Sequence, residues 1–304
     1  MRVSEHMMTN SILRGINDSK TRMNKLQQQI SSGKRLHQSS DDPFAFAKSA
    51  RYKALIEKND QYLRSINLSM GFVQASQAGI DNLNNLIQEA KEKATQGADD
   101  SLAAEDREAI AQEVQGIIDE ILTQLNGQFD GEYLYAGTNT SEVFDAQDNI
   151  VSPYEFDQSG IPPIFEYFGN NEDINQKFGE HLELAINVNN EDINAQDLLN
   201  KLFDLKTDLE NSNDGINTHI DIMDGISENL MQVATKMGDI HNRISLTEQQ
   251  LTMANMNLSS YMSGLEDTDM AEAVLHYNSE EIAYRASLQS SSNIMLTSLM
   301  DYIR

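Results

Sequence analysis

The chain of 304 residues carries a formal net charge of −26 at pH 7, contains no cysteine and has only four prolines. Because the phosphate backbone of nucleic acids repels a chain this acidic, we expect no nucleic-acid partner. The lack of cysteine excludes disulfides and thiolate sites. The sequence contains no apolar run of about 18 residues, so we expect no membrane span. The opening MRVSEHMMTNSILRG lacks the apolar stretch of a cleavable signal peptide.

The N-terminal segment predicts an amphipathic helix that ends near Gly33, a residue that commonly stops helices. Residues 1–40 hold seven Lys/Arg against two Asp/Glu, a net charge of +5. One stripe of residues repeats at three- and four-residue spacing, as in a helix packed on one face. Its members are Thr9, Ile12, Ile16, Ser19, Met23, Leu26 and Ile30.

The stretch SSDDPFAFAKSA predicts the start of a second helix. Asp42 suits the N-cap, Pro43 suits the first helical position, and Asp41 adds negative charge near the positive end of the helix dipole. Paired carboxylates also occur in metal sites and acid–base catalysis. No His or further carboxylate accompanies this pair at a ligand-like spacing, so we interpret the pair as a helix start.

The centre of the chain is different in character. Helical stripes run from Ile66 to Ile87 and from Ile110 to Leu125, and then helical periodicity fails from residue 131 to about residue 190. Within this region EYLYA, PPIFEYFG and HLELAINV predict short strands, whereas GNNED and VNNED predict turns. A compact amphipathic helix is predicted next, capped by Asn194, with the stripe Leu198, Leu202, Leu205 and Leu209.

The C-terminal third contains the longest heptad pattern. Its 4-3 spacing predicts a coiled-coil-like helix of about 60 Å, which implies an elongated shape. The stripe is Ile226, Leu230, Val233, Met237, Ile240, Ile244, Thr247, Leu251, Ala254, Leu258, Tyr261 and Leu265. A last helix is predicted with the stripe Met270, Val274, Tyr277, Tyr284, Leu288 and Met295.

The two ends of the chain are expected to pair. Residues 266–304 carry a net charge of −5, opposite to that of residues 1–40, and parallel packing of the two terminal helices would make these charges complementary. We expect a mainly α chain with terminal segments 1–40 and 266–304, a helical rod of residues 41–137 and 216–265, and a small outer α+β insert at 138–215. Ends that cannot bury their stripes alone are expected to be unstructured in the free monomer.

Three stretches resemble the bacterial flagellin superfamily. ISSGKRLHQSSDDPFAFAKSARYKALI resembles its N-terminal signature, and LEDTDMAEAVLHYNSEEIAYRASLQSSSNIMLTSLMDYI resembles its C-terminal block. GEYLYAGTNTSEVF resembles the segment that enters the variable domain, with Val143 where the family often has proline. The proline after the acidic pair, the opening MRVSEHMM and the ending SLMDYIR are more similar to members from the hook–filament junction than to filament flagellins.

The resemblance implies a flagellin-like fold and a structural role without enzyme activity or cofactor. It implies an extracellular flagellar subunit, exported unfolded by a type III apparatus with a chaperone on its C-terminal segment. Its implied partners are the first hook-associated protein, flagellin and further copies of itself in a ring. The implied assembly residues are Ile12, Ile16, Met23, Leu26 and Ile30 on one side of an inner shaft, and Val274, Tyr277, Leu288 and Met295 on the other.

Two alternatives remain open at this point. A filament flagellin would share both terminal blocks, and a cytoplasmic coiled-coil scaffold would explain the heptads and the acidity without explaining two family blocks. Enzymes have no positive pattern here, since nucleotide-binding, nucleophile-elbow and paired-His motifs are absent. His219, Asp221 and Asp224 could in principle approach one cation, but a solvated acidic surface is the simpler interpretation, and we expect no metal site.

Overall fold

The computed structural model describes residues 2–99, 101–145, 148–157, 164–211 and 215–302. The chain forms two compact units. The first unit combines residues 1–58 with residues 254–304, and the second unit contains residues 59–253. Sequence-distant segments therefore build the first unit, whereas the second is continuous in sequence.

Seven helices occur in the described residues, and every segment with a long apolar stripe is one of them. The scarcity of proline allows helices of such length, because proline removes a backbone donor and clashes with the preceding turn. The helices are α1 (Arg2–Ser32), α2 (Pro43–Gly97), α3 (Ala104–Leu125), α4 (Asn190–Ile193), α5 (Ala195–Glu210), α6 (Ile216–Glu266) and α7 (Met270–Tyr302).

The insert between α3 and α4 is built from short antiparallel hairpins. Each hairpin forms its own two-stranded sheet, so strand pairing is local and no larger sheet is described. The strands pair as β1 (Gln128–Phe129) with β2 (Glu132–Tyr133), β3 (Val143–Phe144) with β4 (Ile150–Val151), β5 (Tyr154–Asp157) with β6 (Ile164–Tyr167), and β7 (Asn175–Lys177) with β8 (Glu183–Ala185).

The predicted strands were incomplete. EYLYA contributes only its first two residues to β2, PPIFEYFG and HLELAINV contain β6 and β8, and the pairing partners of these strands were missed. The segment VNNED is not a free turn, since Asn189 caps α4 with a reciprocal capping box to Asp192. Asn194 follows in the left-handed region at φ 55°, and its side chain makes no cap hydrogen bond to α5. It therefore serves as the joint between α4 and α5, a conformation that asparagine tolerates.

The core of the second unit is formed by apolar faces of α2, α3, α5 and α6 with side chains of the insert. The predicted stripe of α5 is fully buried, as are Ile66, Ile80 and Ile87 of α2. Burial of each such leucine or isoleucine side chain stabilises the unit by about 1.5–3 kcal/mol. This core makes the second unit a conventional close-packed domain.

Helix α6 contains the heptad stripe but begins before it, at Ile216. The stripe is buried from Leu230 to Ile244 and only half-buried at Leu251 and Leu265. Tyr261, which the pattern assigns to the stripe, is 61% exposed. The heptad pattern therefore continues along α6 beyond the residues that are buried.

Tyr135 anchors the insert within the second unit. Its ring is fully buried and its hydroxyl donates to the Ser76 carbonyl oxygen of α2 at 2.8 Å. Burial raises the pKa of this phenol, and the nearby Asp81 charge acts in the same direction. The segment GEYLYAGTNT thus contributes a side chain to the helical core as well as two strand residues.

Candidate assembly site: the terminal helix pair and its clasp

Helix α1 ends where the sequence predicts. Gly33 adopts φ +71°, a left-handed conformation favourable for glycine, and its amide donates to the Gln29 carbonyl oxygen at 2.8 Å. This is the geometry of a glycine C-terminal stop. The chain then turns away from the helix into residues 34–42.

The segment after α1 pairs with the connection between α6 and α7. Lys34 and Asp267 form an isolated antiparallel bridge, and the Thr268 amide donates to the Gly33 carbonyl oxygen at 2.9 Å. The Arg35 amide donates to the Glu266 carbonyl oxygen at 2.5 Å. We call residues 33–42 together with residues 265–269 the clasp. It ties the end of α1 to the start of α7 through main-chain bonds.

Glu266 is the side-chain centre of the clasp. Lys34 Nζ donates to its Oε2 at 2.8 Å, and the hydroxyl of buried Ser49 donates to its Oε1. These hydrogen bonds, first that of Lys34 and then that of Ser49, hold the pKa of the Glu266 carboxyl below its usual range. The carboxylate therefore stays ionised and links α6, α2 and the residue after α1.

Asp42 occupies the N-cap of α2. Its Oδ1 accepts from the Ala45 amide at 3.0 Å, its carbonyl oxygen accepts from the Phe46 amide, and the helix begins at Pro43. These are the bonds of an N-cap followed by a proline that lacks an amide to satisfy. Among the described residues, Asp42 belongs to no group of three or more His, Asp or Glu side chains that could hold a metal ion.

Asp41 makes contacts that the helix-dipole interpretation did not predict. Its Oδ2 accepts from the amides of His37 and Gln38, at 3.1 and 3.2 Å, and its Oδ1 lies 2.7 Å from Lys25 Nζ on α1. The Lys25 ammonium, together with these amides, lowers the pKa of Asp41 to about 2. The carboxylate therefore shapes the loop and fastens it to α1, in addition to lying beside the start of α2.

Helices α1 and α7 pack against each other with antiparallel chain directions. The clasp joins the end of α1 to the start of α7, and Ser19 of α1 contacts Glu280 of α7 farther along the pair. We expected parallel packing, and this was wrong. The segment that follows α1 and the segment that precedes α7 meet at the same end of the pair, so the two helices run in opposite directions. We call α1 and α7 the terminal helix pair.

The contact line of the pair follows a heptad pattern on both helices. On α1 the least exposed positions include the five residues that we predicted for assembly, Ile12, Ile16, Met23, Leu26 and Ile30, together with Ser19 of the predicted stripe. On α7 the buried or partly exposed positions at heptad spacing are Ala273, Tyr277, Glu280, Tyr284, Ser287 and Ser291, and Glu281 beside them is partly exposed as well. We call these two sets the seam.

The apolar stripe of α7 and its seam only partly coincide. Tyr277 lies in the seam, but Val274 and Leu288 are 42% and 44% exposed. The side chain of Met295 lies outside the described residues. Sequence reasoning missed Ala273 and Glu280 because it followed the larger residues, of which Tyr277 and Tyr284 lie in the seam, whereas Val274 and Leu288 lie on an exposed flank with Leu275 and Ile282.

Glu280 is a charged residue inside the seam. The hydroxyl of buried Ser19 donates to its Oε2 at 2.8 Å, and Arg22 Nε donates to its Oε1 at 2.8 Å. Arg22, followed by Ser19, holds the pKa of the Glu280 carboxyl below its usual range. The opposite net charges of the two chain ends thus meet in at least one defined ion pair.

The other candidates from the sequence do not converge. Among the described residues no group of three His, Asp or Glu side chains could hold a metal ion. His219 Nε2 lies 2.8 Å from Asp208 Oδ2, whereas Asp224 accepts from Lys91 at 2.5 Å. Within the same described ranges, no helix is long and apolar enough to cross a bilayer.

These features define a class of helical subunit in which the two ends of the chain pair with each other and the centre carries a hairpin-rich insert. Residues 3–140 match the family model described as the bacterial flagellin N-terminal helical region, and residues 220–303 match the bacterial flagellin C-terminal helical region. The chain therefore belongs to the bacterial flagellin family.

Individual relatives refine this picture. The chain is 30% identical to flagellar hook-associated protein 3 of Salmonella typhimurium over 141 residues, which are 46% of this chain and 44% of that one. The chain thus spans less than half the length of that relative. It is 25% identical to a flagellin of Halalkalibacterium halodurans over 277 residues, which are 86% of this chain and 84% of that one.

A solved structure shares the fold. The flagellar hook associated protein-3 of Legionella pneumophila superposes with a TM-score of 0.62 at 11% identity, covering 71% of this chain and 98% of that one. Identity this low supports the fold alone. The predicted flagellin-like class, with long terminal helices and a small strand-containing insert, is confirmed.

Proposed function

We propose that this protein is a structural junction subunit of the bacterial flagellum, which connects the hook, through the first hook-associated protein, to the flagellin filament. The observation that carries the proposal is the similarity to hook-associated protein 3, the most identical relative reported above. The DDP sequence at the start of α2 and the ending SLMDYIR point to the same subgroup. The role is one of assembly and requires no catalysis or cofactor.

The terminal helix pair is the proposed assembly element. Its α7 flank exposes the large apolar side chains Val274, Leu275, Ile282 and Leu288, and exposed apolar side chains that lie together often mark interaction sites. Self-association in a ring, with flagellin and the first hook-associated protein on either side, would cover this flank. The predicted assembly residues then divide into a seam set within the subunit and a flank set between subunits.

Export precedes assembly in this proposal. We propose that residues 1–40 and 266–304 are unstructured in the free monomer, that residues 41–137 and 216–265 form the rod, and that residues 138–215 face outward. A chaperone at the C-terminal segment would cover the apolar flank of α7 before export. Hydrogen exchange of the free chain tests this proposal, and equal protection of the ends and the rod would contradict it.

A filament flagellin is the second candidate. The observation in its favour is coverage, because the Halalkalibacterium flagellin matches 86% of this chain whereas hook-associated protein 3 matches 46%. The two roles differ in copy number, since a filament contains thousands of subunits, whereas a junction contains only the few that form one narrow zone.

Immunogold labelling of intact flagellated cells separates the candidates. The antibody should be raised against residues 140–210, which lie in the insert. A compact band where hook meets filament is the expected result. Label along the whole filament would identify a flagellin, and label only after cell breakage would contradict both flagellar roles.

A further inference from the structure

The centre of the terminal helix pair contains a charged residue where a heptad pattern would place an apolar one. Glu280 lies in the seam with 23% of its side chain exposed, and it accepts from Ser19 and Arg22. Ser19 is itself buried and polar. A polar pair inside a helix–helix seam costs stability, and its best attested use is to select one register.

The register follows from the Ser19–Glu280 contact. In an antiparallel pair, moving one heptad forward on one helix corresponds to moving one heptad back on the other. Ser19 against Glu280 therefore places Leu26 against Ala273, and Ile12 against Ser287. Each set of facing residues forms one layer of the seam. The layers that lie between those just named place Met23 against Tyr277 and Ile16 against Tyr284.

The intervening layers do not select a register. On α1 these layers repeat a large apolar residue every seven positions, Ile16, Met23 and Ile30, and on α7 they repeat Tyr277 and Tyr284. A slip of one heptad would again place a large apolar residue against a tyrosine. The buried apolar area would change little, so the hydrophobic contribution would be nearly equal in the two registers.

The layers that contain Glu280 behave differently. A slip of one heptad would place the Glu280 carboxylate against Leu26 or against Ile12, where no hydroxyl is available. The carboxylate would lose the Ser19 hydroxyl at 2.8 Å and the two nitrogens of Arg22 at 2.8 and 3.3 Å. A carboxylate against an apolar side chain without hydrogen bonds is strongly unfavourable.

We propose that Glu280, bound by Ser19 and Arg22, fixes the register of the terminal helix pair. The proposal concerns pairing within one chain and goes beyond the junction role, so it would hold equally in a filament subunit. Its consequence for assembly is geometric. A single register places every exposed residue of the α7 flank at a fixed height relative to α1, so all copies present the same surface.

Disulfide trapping in the full-length chain tests the proposal. Because the sequence has no cysteine, each engineered pair is unique. Met23→Cys with Tyr277→Cys reports the observed register, and Ile16→Cys with Tyr277→Cys reports a slip of one heptad. The measured quantity is the ratio of the two cross-linking rates under mild oxidation, which reports the register even when the pair forms only transiently.

With Glu280 present, the observed-register pair should cross-link faster by at least about tenfold, because the slipped state loses charge-assisted hydrogen bonds. Glu280→Ala should bring the ratio to within about twofold of unity, since alanine accepts either register. Glu281→Ala is the matched control, because that neighbouring carboxylate pairs with Arg285 on its own helix and its loss should leave the ratio unchanged.

A charge exchange supplies the second test. Arg22→Glu with Glu280→Arg restores an opposite-charge pair and should recover most of the preference, whereas Arg22→Glu alone should weaken it. An unchanged ratio in Glu280→Ala would overturn the proposal. Equal cross-linking of both pairs in the parent chain, or none in either pair, would overturn it as well.

Discussion

Lys34 Nζ lies 2.8 Å from Glu266 Oε2, so the second residue after α1 is fastened to the last residue of α6. The same carboxylate accepts from Ser49 of α2. One side chain thus connects three segments that are far apart in sequence, at the point where α7 begins. The following predictions test this clasp, the start of α2, the core and the terminal helix pair.

Loss of the Glu266 carboxylate should loosen the clasp. Glu266→Ala removes the acceptor of Lys34 and Ser49, and we expect a cost of about 1 kcal/mol because Lys34 is half in solvent. Measured on assembled subunits, in which the terminal helix pair has formed, hydrogen exchange at the Arg35 and Thr268 amides should accelerate accordingly. Glu272→Ala removes an exposed carboxylate of α7 and serves as the control, and equal exchange in the two variants would contradict the role of Glu266.

The N-cap of α2 should be sensitive to the chemistry of one side chain. Asp42→Ala removes the acceptor of the Ala45 amide and should destabilise the first turn by about 1 kcal/mol. Asp42→Asn keeps an oxygen acceptor and should retain most of this stability. Amide exchange over residues 45–49 measures the difference, and indistinguishable exchange in the two variants would argue against a side-chain cap.

Asp41 should make the clasp sensitive to acid. Its pKa falls from 3.8 to about 2 on folding, so its stabilisation is fully present above about pH 4 and disappears as the pH falls through about 2. The difference in thermal stability between assembled subunits of the parent chain and of Asp41→Asn should therefore be largest near neutral pH and vanish at strongly acidic pH.

Lys25 provides the control for this pH dependence. In a Lys25→Met background the Asp41 carboxylate loses its nearest charge, so the Asp41→Asn substitution should have a smaller effect at neutral pH. An equal effect in both backgrounds would show that the loop amides alone account for the role of Asp41.

The core of the second unit should respond strongly to cavity formation. Leu202→Ala removes a fully buried side chain of α5 and should lower the free energy of unfolding by about 2–5 kcal/mol. Leu68→Ala, at an exposed position of α2, should change it by less than about 0.5 kcal/mol. Urea unfolding followed by circular dichroism compares them, and similar midpoints would contradict the described core.

The seam and the flank should fail in different ways. Leu26→Asp places a charge in the seam and should disrupt the terminal helix pair, whereas Leu288→Asp lies on the exposed flank and should leave the pair intact. Both should spare the fold of the second unit and block incorporation at the flagellum. Motility complementation and labelling measure incorporation, and normal attachment of filaments in either variant would count against its assembly role.

Most helices, the end of α1 and the start of α2 were accessible from sequence because their causes are local. Heptad spacing, Gly33 after α1, and Asp42 with Pro43 before α2 act within a few residues of where they stand. The predicted stripe from Leu198 to Leu209 was correct for the same reason, since the spacing of its leucines indicates both the helix and the face that the helix buries. The short hairpins were harder, because two-residue strands carry almost no alternation and depend on the packing around them.

The sequence by itself determined the helical class, the positions of most helices and the resemblance to flagellins. Only the tertiary structure decided that α1 and α7 run antiparallel, that Asp41 binds Lys25, and that α7 turns Glu280 rather than Val274 toward α1. The physical reason is that α7 has more than one face able to meet a partner. Hydrophobicity alone marks residues of the seam and of the exposed flank alike, whereas the hydrogen bonds of Glu280 to residues some 260 positions away select the seam.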